Sequence, residues 1–204
     1  MNLYERYILP RLIHVAMRNK VATAERARFV PLASGTVLEV GAGSGLNLPF
    51  YGPKVDRLYA LDPSRELWRM ARRRVEAAPF PVEFLPASAE AIPLDDMGVD
   101  TVVMTWTPCT IPSPQKGLTE MTRVLKPGGR LVFVEHGRAR ELRVARWQDR
   151  LTPIWRRVAG GCHLNRPIDL LIVGAGFRLS RIERAYAGRP KAMEYLYKGV
   201  AERD

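Results

Sequence analysis

Apolar positions at Leu3, Tyr7, Leu12 and Val15 recur at near-helical spacing, which predicts helix over residues 1–30 with a break or kink at Pro10. After Pro31 the pattern changes to short β-branched runs alternating with helical stretches. Residues 36–40, 57–61, 82–85, 101–104 and 130–134 read as five strands. Ser64 can cap a helix with Leu67, Met70, Ala71 and Val75 on one face and Arg69, Arg72, Arg73 and Arg74 mostly outward. Residues 115–125 fit the helix before the fifth strand, and Pro127-Gly128-Gly129 supplies the turn. Helical patterning returns over 139–175, interrupted at Pro153 and at Gly160-Gly161. Residues 178–185 and 194–200 read as two closing strands, joined by a turn containing Gly188 and Pro190. This rhythm predicts an α/β fold built on a mostly parallel sheet.

With 204 residues, 47% of them hydrophobic and 26% charged, the chain suits one domain over 1–204 and excludes long disorder. The longest nearly apolar stretch, 170–177, is far short of the roughly 18 residues that cross a bilayer. The N-terminus mixes charges with its apolar residues, unlike a secretory signal, so the expected location is cytoplasmic. Cys109 and Cys162 are too few and too far apart for a disulfide framework or a CxxC zinc site, so no metal is expected. The balance of 32 Lys and Arg against 21 Asp and Glu gives +11. That excess is spread through amphipathic segments rather than clustered, which favours a solvated face over a nucleic-acid surface.

The most informative segment is a strand running into a turn with glycine at alternate positions, Glu39-Val40-Gly41-Ala42-Gly43-Ser44-Gly45-Leu46-Asn47. Glycine there lets the backbone turn sharply and lets a ligand approach closely. Leu46 breaks the GxGxxG spacing of dinucleotide enzymes, and no GxxxxGK[ST] run is present. Two carboxylates flank the turn: Glu39, and Asp62 in Leu61-Asp62-Pro63 at the end of the next strand. A carboxylate at that second strand end can accept from both hydroxyls of a ribose, so the expected ligand carries an adenosine-like ribose.

EVGAGSG, LDPS, DTVVMTWT and RVLKPGGRLVFVEH stand in this order over residues 36–137, and together they resemble the class I S-adenosylmethionine-dependent methyltransferases of type 11. The resemblance implies a Rossmann-like three-layer αβα sandwich around a seven-stranded sheet whose last strand is antiparallel. It implies S-adenosylmethionine as cofactor and S-adenosylhomocysteine as product, bound across the carboxyl ends of the first two strands. Carried over by position, Gly41, Ala42, Gly43, Ser44, Gly45 and Asn47 would border the methionine part, with Glu39 before them. Asp62 and Pro63 would border the ribose, and Ser88, Ala89 and Glu90 the adenine. Many relatives have Asp at the place of Ser88, so its role could fall to Ser88, Glu90 or the backbone. Thr105, Trp106 and Thr107 would lie beside the sulfonium, although core packing also accounts for Trp106.

The acceptor is less legible, because in-line transfer from a sulfonium is mainly a matter of positioning. No Asn/Asp-Pro-Pro-Tyr follows the fourth strand, where Thr105-Trp106-Thr107-Pro108-Cys109 stands instead, which disfavours base-amine methylation and with it a nucleic-acid partner. Glu135-His136, Trp147-Gln148, Pro153-Ile154-Trp155 and Gly161-Cys162-His163-Leu164-Asn165-Arg166 resemble the small-thiol S-methyltransferases of that family. The resemblance implies a small thiol acceptor, with a phospholipid amine or a quinone-precursor carbon as alternatives. His136 is the candidate to take or relay the thiol proton, and His14 and His163 are spare bases. Cys109 fits either a pocket wall or a buried small apolar residue, as does Cys162. Residues 1–30 would form an extension or lid and 138–175 a helical insertion lining the acceptor site. The basic surface leaves peripheral contact with anionic membrane open.

Overall fold

The computed structural model describes residues 3–203; residues 1, 2 and 204, the first two of them part of the expected N-terminal extension, lie outside the described residues. Seven strands form one sheet: β1 (Gly35–Val40), β2 (Val55–Leu61), β3 (Val82–Leu85), β4 (Val99–Thr105), β5 (Leu125–His136), β6 (Phe177–Tyr186) and β7 (Tyr195–Arg203). Their order is β3-β2-β1-β4-β5-β7-β6, and only β7 runs against its neighbours.

Strands β1, β4 and β5 are near-continuous apolar runs because both faces of the sheet are covered. Alternate residues feed two separate cores. Leu38, Val40, Val102, Met104, Leu131 and Phe133 pack with Leu118 and Met121 of α5 (Pro114–Val124) and with Ile168 and Ile172 of α7 (Ile168–Gly174). Val37, Val103, Val132 and Val134 pack on the other face with Phe29 of α2 (Lys20–Phe29) and with Leu58. The result is the three-layer Rossmann-like sandwich expected from the sequence. The order reverses between β1 and β4, which opens a crevice beyond their carboxyl ends, where ligands of open α/β sheets bind.

Four local expectations are corrected. Pro10 does not break the N-terminal helix: a π-type turn over Tyr4–Ile8 continues into α1 (Leu9–Ala16), with buried Pro10 in its first turn, where a missing N–H is tolerated. The break falls after Met17, and the Asn19 side chain accepts from Ala22 N to cap α2. The helix after Ser64 divides into α3 (Arg65–Arg69) and α4 (Arg72–Glu76), and Arg74 turns inward to donate to the carbonyls of Ser44 and Met70. Helix α6 (Leu142–Val158) passes through Pro153 and ends only before Gly160 and Gly161, both in the left-handed region. Residues 126–129 bulge out of β5, since Leu125 pairs with Val99 and Arg130 with Thr101. Among the described residues, no helix is long and apolar enough to cross a membrane.

Candidate functional site

Strand β1 delivers Glu39, 2% exposed, to the reversal point. Its Oε1 accepts from Asn47 Nδ2 at 2.9 Å and its Oε2 from the Tyr51 hydroxyl at 2.9 Å. Asn47 also donates to Thr105 Oγ1 at 3.0 Å and accepts from Arg26 Nε at 2.9 Å. Arg26, itself buried, donates to the Met17 carbonyl and lies over the Trp106 ring, 5.0 Å from its centroid. Burial raises the Glu39 carboxyl to about 7 even though the Tyr51 bond and the Arg26 charge pull it down. Burial likewise lowers Arg26 to about 10. The glycine turn is thus tied to α2 and to the end of β4 by one polar network.

The turn is shaped by what presses on it. Gly41 has φ +75°, and a Cβ there would stand 2.2 Å from Thr107 Oγ1. Gly45 has φ +70°, and a Cβ there would meet Leu48 and Ala71 at 2.9 and 3.0 Å. Both positions therefore require glycine for close packing as well as for conformation. Asp62 closes the turn from β2: its Oδ2 accepts from Gly43 N at 2.9 Å and its Oδ1 from Ser64 N at 2.8 Å. Burial raises the Asp62 pKa, against those two hydrogen bonds.

A cavity of about 170 Å³ lies on this turn. Of the expected cofactor residues, Glu39, Gly41, Ala42, Gly43, Ser44, Asn47, Asp62, Thr105 and Trp106 line it. Gly45 and Pro63 adjoin it without lining it. Ser88, Ala89 and Glu90 lie apart: Ser88 is exposed, Ala89 is in the core, and Glu90 accepts from Ser113 N at 2.9 Å, pinning the segment to the start of α5. Helix α1 covers the turn, with His14 Nδ1 2.7 Å from Ser44 Oγ and Ile13 and Met17 in the wall.

Beyond Trp106 a second cavity, about 460 Å³, opens between α1 and α6. Trp106, Thr110, Ile13 and Met17 line both. Trp106 holds φ +50°, a conformation rare for a bulky residue, fixed by its N–H to the Val134 carbonyl at 2.9 Å. The next residue, Thr107, donates its N–H to both oxygens of buried Glu135 at 3.0 Å, and burial pushes that carboxyl well up.

Leu9, Leu12, Val158, Leu164 and Leu196 make much of the second cavity apolar, while Cys109, His136 and Cys162 form one polar patch of its wall. Cys109 and Cys162, distant in sequence, meet because His163 N donates to the Cys109 carbonyl and Arg166 donates to the carbonyls of Pro108 and Ile111. His136 Nε2 is 3.1 Å from Cys162 Sγ, and its Nδ1 is buried with no hydrogen-bond partner. Burial alone lowers His136 to about 4, so the imidazole is neutral. Cys109 hydrogen-bonds Cys162, which raises its own thiol and lowers that of Cys162, and the nearby Arg166 charge favours both thiolates.

Arg26 and Tyr51 stand in none of the motifs, and Arg26 resembles a solvated helix arginine; Thr107 and Glu135 stand in the DTVVMTWT and VFVEH segments, but their pairing joins two strand ends and shows only in the fold. His14, one of the spare bases, is committed to Ser44, and His163 to the Cys109 carbonyl.

Residues 38–133 match the methyltransferase domain family. Human thiol S-methyltransferase TMT1B is 34% identical over 173 residues, 82% of this chain and 69% of that protein. The rat protein of the same name is 37% identical over 64% of this chain and 55% of its own length. Phosphatidylethanolamine N-methyltransferase of Cereibacter sphaeroides is 37% identical over 57% of this chain and 60% of its own. The chain thus spans about half to two thirds of these curated relatives. In fold it is similar to a Thermotoga maritima S-adenosylmethionine-dependent methyltransferase described as a possible histamine N-methyltransferase, with TM-score 0.69 and 21% identity over 97% of this chain and 98% of that one. The [4+2]-cyclase SpnF superposes with TM-score 0.70 at 18% identity over 89% of this chain and 79% of its own, so the fold does not dictate the reaction. With the glycine turn, its two carboxylates and the strand order already in place, these matches assign the chain to the class I S-adenosylmethionine-dependent methyltransferases.

Proposed function

We propose that the protein methylates a small thiol, with the cofactor on the glycine turn and the acceptor in the larger cavity. The supporting observation is the shared wall at Trp106 and Thr110, which sets an apolar chamber carrying a Cys–His–Cys patch directly against the cofactor side. The residues present fit the cofactor. Buried Glu39 and Asp62 suit a cationic ligand, Asp62 keeps lone pairs for a ribose, and the open space beside Gly43 admits close approach. When bound, S-adenosylmethionine supplies an activated methyl group on a sulfonium.

The protein's part is orientation and exclusion of water. Trp106 and Thr105 flank the reacting region, and α1 with the π-type turn before it acts as a cover, held by His14 to Ser44 and by the Tyr4 hydroxyl to the Val158 carbonyl. Ser88, Ala89 and Glu90 remain candidates for the adenine end, outside the described cavity. His136 sits where an acceptor sulfur would enter. Near 4, it lies so far below an ordinary thiol at about 8.5 that keeping the proton would be uphill by about 6 kcal/mol. His136 is therefore a poor store for that proton, and Cys109 forms part of the chamber wall. The test is transfer of labelled methyl to a panel of alkyl and aryl thiols, with S-methyl products identified by mass spectrometry. Transfer confined to amines or phenols would reject the thiol reading.

One observation favours a phospholipid amine instead. Helix α6 exposes Trp147, Leu151, Ile154 and Val158 along one stripe, flanked by exposed Arg146, Arg150 and Arg157, beside the mouth of the larger cavity. This is the pattern of a helix lying on an anionic membrane. Methylated headgroups formed on phosphatidylethanolamine vesicles would support it.

A further inference from the structure

Three segments converge on the acceptor chamber: the loop after β4 brings Cys109, the end of β5 brings His136, and the loop after α6 brings Cys162. One ligand atom from each lies within 4.8 Å of the other two. Donors around a tetrahedral zinc ion, with Zn–S near 2.3 Å and Zn–N near 2.0 Å, stand about 3.5 to 3.8 Å apart. His136 Nε2 and Cys162 Sγ, at 3.1 Å, need to separate by only a few tenths of an ångström to reach that spacing.

We propose that Cys109, His136 and Cys162 bind one zinc ion as two thiolates and an imidazole, with a fourth position open to the chamber for the acceptor thiol. The inference rests on the thiol reading above and deepens it. The donor set is soft, which selects zinc over magnesium or calcium, and two thiolates with one imidazole and an open place is a pattern of catalytic zinc. The surroundings suit such a centre. Trp155 Nε1 is buried without a hydrogen-bond partner and points its N–H toward Cys162, where a thiolate ligand would accept it. Arg166, anchored by the Pro108 and Ile111 carbonyls, adds a fixed positive charge beside both sulfurs. Two thiolates neutralise the ion, and Arg166 offsets the charge that a third would add.

The ion would promote loss of the proton from the acceptor thiol. An acceptor thiol displaces zinc-bound water, its S–H bond breaks, sulfur keeps the electron pair in the new Zn–S bond, and the proton leaves to solvent. The acceptor is then a thiolate at neutral pH, held in the chamber wall.

Titration with zinc and, separately, with cobalt(II) tests the site without reference to turnover. One ion per chain is expected, with a thiolate-to-cobalt charge-transfer band and the ligand-field bands of a tetrahedral ion. Cys162→Ser and His136→Gln should each weaken zinc binding on the order of 100-fold. Retained S-adenosylhomocysteine binding by calorimetry shows that the variants are folded. Stripping zinc should lower the rate of thiol methylation, and zinc should restore it. Absence of the charge-transfer band, or full thiol methylation by zinc-free protein, overturns the inference while leaving the thiol reading intact. A one-to-one zinc site in a protein that methylates no thiol overturns the thiol reading, and the open-position role falls with it.

Discussion

Replacing Glu39 by Gln isolates the ionisable group at the heart of the polar network. The folded-state pKa of about 7 lies above the ordinary 4.5, so the fold holds the Glu39 proton more tightly than the unfolded chain does. The stability this contributes is fully present below pH 4.5 and is lost as pH rises toward 7. The size is 1.36 kcal/mol per unit over 2.5 units, or about 3 kcal/mol. His136 works in the opposite sense: its folded pKa, about 4, lies below 6.5, so its contribution is present above pH 6.5 and is lost as pH falls through 4. The two windows overlap, and the wild-type profile alone is uninformative. The difference between wild type and Glu39→Gln cancels His136. Glutamine keeps the shape and can accept from Asn47 while donating to Tyr51, so the pH-independent cost is about one hydrogen bond, on the order of 1 kcal/mol. Relative to wild type, the variant should gain about 3 kcal/mol between pH 4.5 and 8, which corresponds to about 6 to 12 °C in melting temperature for a domain of this size. Denaturant titrations of both proteins at matched ionic strength measure it. A difference that stays constant across that range would refute a buried, proton-holding Glu39.

Gly41→Ala should destabilise by about 2 to 4 kcal/mol and weaken cofactor binding, because the left-handed backbone and the Thr107 hydroxyl both resist a Cβ; thermal melts and calorimetry would show it. Tyr51→Phe removes a donor that holds the Glu39 carboxylate, so it should cost about 1 to 2 kcal/mol at pH 8 and distinctly less at pH 5 by denaturant titration. Deleting residues 1–20 should reduce S-adenosylhomocysteine affinity more than melting temperature, since Ile13 and His14 of α1 and Met17 just after it line the smaller cavity; unchanged affinity would remove the cover role. Replacing Trp147 and Ile154 by Ser should weaken binding to anionic vesicles at least tenfold if α6 lies on the membrane, with the wild-type binding fading as salt rises.

The seven strands were legible because their signal is local. Val102, Val103 and Met104, or Leu131 to Val134, are apolar without interruption since both faces of the sheet are buried, and short β-branched runs between turn residues have few other readings. The misjudged features turn on position within an element. Pro10 in a first turn and Pro10 in an interior look identical in sequence, and only the start of α1 decides between them. Pro153 shows the converse, an interior proline that α6 accommodates. Arg26 and Arg74 carry the same residue type as the exposed arginines around them, and nothing nearby marks the carbonyls and the Asn47 side chain that draw them inward.

The two halves of the site differ for the same reason. The proposed cofactor side is built mainly from one contiguous turn and the ends of adjacent parallel strands, so spacing in the sequence is nearly spacing in space. The proposed acceptor side is assembled by packing. β4 and β5 are neighbours, so Cys109 and His136 follow strands that end side by side, and the segment after β5 must return over those ends to reach β6. That return, fixed by His163 and Arg166 to the loop after β4, is what places Cys162 against His136. A rule that counts residues between cysteines sees only neighbours on one turn, and it reads this pair as unrelated. The strained Trp106 is invisible for a like reason, since its backbone is imposed by the Val134 carbonyl and by Thr107 on Glu135 rather than by its own preference. The residue that stands between the two cavities is therefore specified by the strands on either side of it, and in the proposed reaction the reach of an acceptor toward the methyl group depends on that wall.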